Sequence, residues 1–340
     1  MLKFSIIQDP HEALKDYVWF TTVLEDTKTP DSSFNYDVVP LGDVCITFPI
    51  LTWSKEEKGP AGMSFLLVAG AMSKLMRVMV TPHQVLLMRL KPGAFQAMFG
   101  IPAHKVKNKV IYLDKLWGAE GKAWEKRLKE APDTPTRIQV FEEGLIRHRA
   151  KFKAPDPYAA KAVDLMKQAD GKMTLEELSY RLGYTDRQVE RKFEDGLGLT
   201  PKEYQRVLRC RMLILRMLNR DFKDWSDLVA DYGYFDQAHL INEFKAFMGM
   251  SPEKFLKKFD AKGKILESPL PGVRDETAFL GYEEESDPRP PEGFIPIDVE
   301  SVARQSADFP EIQKHSLKDS TKGSAKPESP SDRPRKEDER

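Results

Sequence analysis

The sequence feature that most constrains the fold of this chain is an internal repeat, in which one motif occurs twice. The first copy spans residues 175–204 and the second spans 225–255. Gly183 and Gly233 are 50 positions apart, whereas Phe193 and Phe244 are 51 positions apart, so the second copy has one extra residue just after its glycine. Two helix-turn-helix units held one helix apart can enter two successive major grooves on one side of a DNA duplex. The repeat therefore predicts a sequence-specific DNA-binding protein.

The first copy predicts two short helices joined by a tight turn, at about 174–195. The segment 174–177 has the spacing of a capping box, which marks the start of a helix. Gly183 supplies the left-handed position that ends this helix. A second capping box at 185–188 predicts the start of the next helix. These signals together predict the first helix-turn-helix unit.

One face of this second helix is apolar and the other carries long polar side chains. Val189 and Phe193 lie four residues apart and are expected to face the core. On the opposite face, Arg187 or Arg191 can bind guanine with two hydrogen bonds, which contributes about 1–3 kcal/mol of discrimination. Glu190 can accept a hydrogen bond from a cytosine amine, or it can orient the two arginines. We therefore predict base contacts by Arg187, Glu190 and Arg191.

The second copy predicts a second helix-turn-helix unit at about 225–247. Its first helix is expected to end at Gly233, and the helix that follows exposes different side chains. Gln237 and Asn242 suit adenine, and Ala238 can contact the methyl group of thymine. These three residues are the predicted base contacts of the second unit.

The linker between the units is predicted to be a helix over 201–219, about 28 Å long at about 1.5 Å per residue. That length suits a spacer between helices that enter grooves about 34 Å apart. Residues 172–223 contain twelve basic and eight acidic residues, a local net charge of +4. Phosphate contacts are predicted for Lys192, Lys202, Arg206, His239 and Lys245. For His239 an alternative is that its ring packs on its own helix.

The chain as a whole is predicted to be a multidomain α+β protein. Residues 1–150 are expected to form a β-rich, barrel-like sensing or dimerisation domain with helices at its end, because short apolar runs alternate with Pro and Gly. A linker follows at 151–157, and an all-α DNA-binding domain at 158–260. Residues 261–340 are predicted to be irregular to disordered.

The predicted disorder is strongest over 315–340, where Ser, Lys, Glu, Asp and Pro dominate. Such a composition cannot bury enough apolar surface to offset the entropy cost of ordering. This tail has two interpretations, a solvating segment or a weak phosphate-binding segment, and its mixture of both charge signs favours the first.

Composition and motifs argue against several other classes of protein. The formal net charge is zero, with 53 basic and 53 acidic residues, so attraction to DNA must come from local charge placement. The two cysteines, Cys45 and Cys210, are expected to be buried thiols of a cytoplasmic protein, although the arginines beside Cys210 also allow a redox role. The sequence contains no apolar stretch long enough to span a membrane.

We predict that the chain is not an enzyme and that it binds no cofactor or metal. The six histidines are scattered without metal-ligand spacing, and the sequence contains no P-loop, G-x-G-x-x-G or G-x-S-x-G motif. A rival interpretation is an enzyme built on the N-terminal domain, for which His83 would be a candidate catalytic residue.

The motifs of the repeat closely resemble those of a known family. They are Leu182-Gly183-Tyr184, Phe193, Gly198-Leu199-Thr200-Pro201 with Tyr204, Gly233 to Leu240 with Phe244-Lys245, and Gly249-Met250-Ser251-Pro252 with Phe255. They resemble the C-terminal domain of the AraC/XylS family of bacterial transcription regulators. The resemblance covers about 100 of the 340 residues. It implies a seven-helix domain that binds an asymmetric DNA site as a monomer.

The second unit departs from the family pattern at one place. The family usually has Arg near the position of Asn242, followed by a neutral residue, whereas this chain has Asn242-Glu243. This departure implies weaker or altered DNA contacts there. It also motivates an alternative function, a protein-interaction module whose DNA affinity is weak or lost.

The N-terminal part resembles a poorly characterised sensor-type domain that occurs upstream of such regulators. The matching residues are in 39–48, 89–95 and 113–118. This resemblance implies a small-molecule effector, a second subunit, or both, as partners of the N-terminal domain. Double-stranded DNA and RNA polymerase are the other partners expected, and no membrane.

Overall fold

The computed structural model describes residues 2–26, 36–38, 40, 42–51, 64–78, 82–218, 222–262, 264–266, 279–281, 295–297, 299–307 and 309. Most of the C-terminal tail, including all of 315–340, lies outside these residues. The prediction of disorder over 315–340 therefore also concerns residues outside the described ranges. None of the helices within the described ranges has the length and apolar character that crossing a lipid bilayer requires.

The N-terminal part of the chain is built on an antiparallel sheet. Its strands are β1 (Leu2–Gln8), β2 (Val18–Asp26), β3 (Tyr36–Val38), β4 (Cys45–Leu51), β5 (Leu67–Ala69), β6 (Met76–Val78), β7 (Pro82–Leu90) and β8 (Val110–Tyr112). Six of them form one sheet in the order β1-β2-β7-β4-β5-β8. β3 and β6 pair in a smaller sheet. The β-rich prediction is therefore confirmed, and among the described residues the main sheet ends at β1 and β8 without closing into a full barrel.

Burial alternates along β4, whereas the central strands β2 and β7 have consecutive buried residues and are covered on both faces. Val44, Ile46 and Phe48 are buried, whereas the intervening Cys45 and Thr47 are only partly buried. Successive side chains of a strand point to opposite faces of the sheet, so along β4 this period of two directs one face to the core.

Three helices complete the N-terminal domain: α1 (Ala94–Phe99), α2 (Asp114–Glu130) and α3 (Thr134–Ile146). α2 and α3 are the helices that were expected at the end of this region. They pack closely because Gly144 of α3 leaves room for the indole of Trp124, whose Nε1 donates to the carbonyl of Val140 at 3.0 Å. A Cβ atom at position 144 would lie 1.9 Å from this indole.

Seven helices follow, as the resemblance implies. They are α4 (Pro157–Gln168), α5 (Leu175–Leu182), α6 (Asp186–Leu197), α7 (Pro201–Leu218), α8 (Trp225–Tyr232), α9 (Gln237–Met248) and α10 (Pro252–Lys262). α5 and α6 form the first helix-turn-helix unit, and α8 and α9 form the second. α7 is the linker helix, and position 219, where it was expected to end, lies outside the described residues.

The predicted helix starts hold with one correction. Thr185 and Gln188 form a complete capping box at the start of α6. At the start of α5, Thr174 accepts from the amide of Glu177 at 3.1 Å, but the second half of the predicted box is missing. The carboxylate of Glu177 binds Arg181 at 2.7 Å instead. An ion pair one helical turn away thus competes for the side chain that the capping box needs.

The N-terminal domain docks on the C-terminal ends of both helix-turn-helix units through main-chain hydrogen bonds. The amide of Gly93 donates to the carbonyl of Gly196 in α6 at 3.0 Å. The amide of Leu75 donates to the carbonyl of Phe247 in α9 at 3.1 Å. Both bonds link residues far apart in the sequence. The buried apolar side chains of the two parts also form one continuous hydrophobic core.

The segment 151–157, predicted to be an interdomain linker, packs against the N-terminal domain. Phe152 is buried and contacts the rings of Tyr17 and Trp117. The carbonyl of Lys153 accepts from the hydroxyl of Tyr17 at 3.0 Å. Further along the segment, the carboxylate of Asp156 is bound by Lys192 of α6, so the segment contacts both the N-terminal part of the chain and the helices that follow it.

The region 261–340, expected to be irregular to disordered, contains ordered elements as well. They are β9 (Lys264–Leu266), β10 (Phe279–Gly281), β11 (Ile295–Ile297) and α11 (Val299–Ala307). β9 pairs with β10, and β11 pairs in parallel with β6. α11 packs on β8, the edge strand of the main sheet.

The physical reason for this order is an apolar contact together with two hydrogen bonds that composition does not reveal. Val302 is buried in a cluster with Leu67 and Val110. Gln305 and Ser306 accept hydrogen bonds from main-chain amides of β8, at 2.8 Å and 3.0 Å. The helix thereby covers amides that an exposed sheet edge leaves without partners.

Candidate nucleic-acid interface

Helix α6 presents a charged surface because its apolar residues are completely buried. Val189 and Phe193 have no exposed surface, and the ring of Phe193 packs edge-on against Tyr204 of α7, with 5.5 Å between ring centroids. Arg187, Glu190 and Arg191 are exposed. The three predicted base-contact residues of the first unit therefore share the solvent face of one helix.

The same face borders a shallow surface depression that is lined by six polar or charged residues: Thr185, Arg187, Gln188, Glu190, Arg191 and Glu194. Within the part of the chain that the structure describes, Arg187 and Arg191 are in no salt bridge. Exposed guanidinium groups on a helix of this kind can donate to the O6 and N7 atoms of guanine.

Lys192, a predicted phosphate contact, is bound within the protein. Its ammonium group lies 2.7 Å from a carboxylate oxygen of Asp156, the N-cap of α4, and within 5.3 Å of the ring centroids of Tyr158 and Tyr184. Burial disfavours ionisation of Asp156, but the hydrogen bonds from Lys192 and from the Tyr158 amide outweigh it and lower the pKa of this carboxyl group. Lys192 therefore ties α6 to the start of α4.

Helix α9 repeats the packing of α6 with different exposed residues. Leu240 and Phe244 are buried, and Phe244 packs edge-on against Phe255 of α10 at 5.6 Å between centroids. Gln237, Ala238 and Asn242, the predicted base contacts of the second unit, are all exposed. As in α6, the structure brings them to the solvent side of one helix.

Glu243, which marks the departure from the family pattern, faces the linker helix. Its carboxylate accepts from Nε of Arg206 at 2.8 Å and from Nη2 of Arg209 at 3.3 Å, and only 11% of its side chain is exposed. Glu243 therefore joins α9 to α7. Arg206, a predicted phosphate contact, therefore donates at least its Nε hydrogen to a partner within the protein.

The turn before α9 holds His239 against its own unit. The Nδ1 atom of His239 accepts from the main-chain amide of Phe235 at 3.2 Å, and the ring lies edge-on to Tyr234 at 5.4 Å between centroids. Asp236 caps the helix by accepting from the His239 amide at 2.7 Å. This is the ring-packing arrangement that was the alternative to a phosphate contact, although the ring remains exposed.

The remaining predicted phosphate contacts, Lys202 and Lys245, are exposed on α7 and α9. Sequence reasoning missed the internal pairing of Lys192 and of Arg206, because the partners are 36 and 37 residues away. It also missed Phe235, whose side chain is exposed at the start of α9. The one-residue offset between the two copies was the signal that could have identified it.

Of the two cysteines expected to be buried, Cys210 is buried and Cys45 is partly buried. Desolvation raises the pKa of the Cys45 thiol to about 12. Cys210 is buried, and desolvation raises the pKa of its thiol in spite of the neighbouring arginines. Both groups are therefore protonated and unreactive at neutral pH. Among the described residues there is no group of His, Cys, Asp and Glu that could hold a metal ion.

Comparison with family models identifies both parts of the chain. Residues 167–258 match a family described as a helix-turn-helix domain, of the AraC type. Residues 8–112 match a family described as a domain of unknown function, DUF6597. The first match confirms a helix-turn-helix domain in the predicted part of the chain, and the second lies within the predicted β-rich region.

Individual proteins that resemble this chain have low sequence identity to it. An uncharacterized HTH-type transcriptional regulator, YisR of Bacillus subtilis (strain 168), is 30% identical over 135 residues, which are 38% of this chain and 46% of the relative. The chain thus matches less than half the length of this curated relative. Among solved structures, ToxT from Vibrio cholerae O395 is 12% identical with a TM-score of 0.34, over 70% of this chain and 96% of that one. Wild-type ToxT from strain SCE256 bound to an unsaturated fatty acid is also 12% identical, with a TM-score of 0.34, over 68% and 97%.

Proposed function

We propose that this chain, which carries an AraC-type helix-turn-helix domain at residues 167–258, is a sequence-specific DNA-binding transcription regulator of the cytoplasm. The observation that carries the proposal is the pair of recognition helices, α6 and α9. Each has a fully buried apolar face and an exposed polar face, which is the arrangement that a helix needs in the major groove.

The mechanism is reversible binding without a covalent step. Contacts to phosphates set the register of the protein on the duplex, and contacts to base edges supply sequence preference. We assign the phosphate contacts to Lys202 and Lys245 first, because both are exposed. Lys192, Arg206 and His239 remain candidates that would have to exchange or share an internal partner on binding DNA.

We assign base contacts to Arg187, Glu190 and Arg191 in α6 and to Gln237, Ala238 and Asn242 in α9. All six are exposed. The side chains of the two helices differ, so the two halves of the bound site are expected to differ in sequence. Arginines favour guanine, whereas glutamine and asparagine favour adenine.

The N-terminal domain would regulate this binding through a small-molecule effector, a second subunit, or both. Support comes from its main-chain hydrogen bonds to Gly196 in α6 and to Phe247 in α9. A change in the N-terminal domain would reach both recognition helices through these contacts. RNA polymerase is the further partner that transcription regulation requires.

Selection of duplexes from a random-sequence DNA library by the purified full-length protein tests the function. We expect a defined site, and binding that weakens at least tenfold on an unrelated duplex. The variant Arg191→Ala should lose about 1–3 kcal/mol of discrimination at one base pair of that site. Arg181→Ala is a matched control, because this exposed arginine lies on the supporting helix α5.

Two outcomes would contradict the proposal at different levels. If the wild-type protein binds every duplex equally, it is not a sequence-specific regulator. If Arg191→Ala and Arg181→Ala give the same base preferences as the wild type, Arg191 does not contact a base.

The alternative function, a protein-interaction module with little DNA affinity, was motivated by Glu243 in the second recognition helix. The carboxylate of Glu243 is bound by Arg206 and Arg209 and is mostly buried, so its charge is compensated within the protein. Binding assays on random duplex DNA at low and moderate salt separate the two functions. A DNA-binding protein should bind at low salt and lose affinity steeply as salt is raised, whereas a protein-interaction module should bind little DNA even at low salt.

A further inference from the structure

The turn of the second unit is one residue longer than the turn of the first, and the structure identifies the additional residue as Phe235. In the first unit, a single residue separates the C-cap Gly183 from the N-cap Thr185. In the second unit, two residues separate the C-cap Gly233 from the N-cap Asp236. The first of these two, Tyr234, is buried, and the second is Phe235.

The backbone of Phe235 is held in place while its side chain projects into solvent. Its amide donates to Nδ1 of His239 at 3.2 Å, and the next residue, Asp236, is hydrogen-bonded to the same histidine's amide. The phenyl ring is nevertheless 90% exposed, more than any other large apolar side chain among the described residues. The ring therefore adds nothing to the core, and the turn presents it in a defined position.

This position lies immediately before the first turn of α9. In helix-turn-helix proteins, the N-terminal residues of the recognition helix contact base edges in the major groove. Ala238, in the first turn of α9, is exposed as well, so two exposed apolar side chains lie near the start of this helix, one just before it and one within it. In the major groove, the apolar group that a base pair offers to such side chains is the 5-methyl group of thymine.

We infer that Phe235 contacts a thymine methyl group in the half of the DNA site bound by the second unit. This inference rests on the proposed function and adds a residue that sets sequence preference. It also explains why the longer turn occurs in the unit whose recognition helix has no exposed arginine in its described residues. There, apolar contacts take the place of charge-assisted hydrogen bonds.

The test uses the duplex selected by the full-length protein, with each thymine in turn replaced by deoxyuridine, which lacks only the methyl group. Loss of one buried methyl group costs about 0.8 kcal/mol, so the wild-type protein should bind about fourfold more weakly when the contacted thymine is replaced. Phe235→Ala should bind the unmodified duplex more weakly and should show no further loss at that thymine. Phe235→Leu, which keeps an apolar side chain, should retain sensitivity there.

The matched control is Tyr180→Ala, which removes the other strongly exposed aromatic ring, 88% exposed on α5. This variant should keep the wild-type response at every thymine. The inference is overturned if Phe235→Ala binds the unmodified duplex as tightly as wild type, which would point to a protein partner for the ring. It is also overturned if this variant keeps the full set of deoxyuridine effects. Absence of any selected site would instead contradict the proposed function itself.

Discussion

The two helix-turn-helix units have the same buried framework but expose different chemistry. Val189 and Phe193 in α6 occupy the same places as Leu240 and Phe244 in α9, and none of the four is more than 1% exposed. Their solvent faces share almost nothing, since α6 is rich in charge and α9 is mostly neutral. Packing constrains the inner positions of both copies, whereas each outer face is free to match a different DNA sequence.

The units also differ in how their recognition helices are attached to the rest of the protein. α6 is tied to the start of α4 by the salt bridge between Lys192 and Asp156. α9 is tied to the linker helix α7 by Glu243, which binds two arginines. A duplicated motif has therefore acquired a different ionic attachment in each copy.

The largest expected effect tests whether the two frameworks are equivalent. Phe193→Ala and Phe244→Ala each remove a buried ring and should each lower the free energy of unfolding by about 3–5 kcal/mol. Tyr180→Ala, at an exposed position, should change it by less than about 0.5 kcal/mol. Urea denaturation followed by far-ultraviolet circular dichroism measures these differences. A small loss for only one of the two phenylalanines would show that its unit does not depend on the shared core.

An intermediate effect is expected where an acidic residue has a different role in each unit. Glu243→Gln removes the charge that Arg206 and Arg209 share and should lower the free energy of unfolding by about 1–2 kcal/mol. The loss is expected to be moderate because Arg206 is partly exposed, so solvent screens its interaction with Glu243. Glu190→Gln, on the open face of α6, should change stability by less than about 0.5 kcal/mol. Thermal unfolding of the two variants checks the difference. Equal stabilities would mean that the attachment of α9 to α7 contributes nothing.

The smallest effect separates two lysines that sequence reasoning treated alike. Lys245→Met should weaken binding to all duplexes and reduce the slope of log affinity against log salt by about one unit, as expected for loss of one phosphate contact. Lys192→Met should leave this slope unchanged, because its ammonium group is bound to Asp156. Fluorescence anisotropy at several salt concentrations measures both slopes. A reduced slope for Lys192→Met would show that the salt bridge opens on DNA.

Local features of the site could be predicted because they depend on neighbours in the sequence. The glycines at 183 and 233 both have positive φ and end their helices. Thr185 and Gln188 form the expected capping box. The exposed faces of α6 and α9 likewise follow from the spacing of their apolar residues. Each of these features depends on residues within about one helical turn of each other, so the local sequence is sufficient to predict it.

Features that depend on distant partners could not be predicted in this way. Prediction is limited even at short range, as the incomplete capping box at Thr174 shows. The carboxylate of Glu177 had two possible partners, the amide of Thr174 and the side chain of Arg181, and it binds Arg181. The main sheet was expected to be barrel-like, but its closure depends on pairing between its edge strands. The open edge at β8 is covered instead by α11, from a region whose composition suggested disorder.

The sequence by itself determined that this chain has two helix-turn-helix units, where each recognition helix starts and ends, and which of its faces is exposed. Only the tertiary structure decided which charges remain available to DNA. Lys192 and Arg206 belong to the same basic region as Arg187 and Arg191, yet they are paired with acids 36 and 37 residues away. Periodicity and capping act along the chain, whereas a charge is compensated by whatever group folding brings beside it.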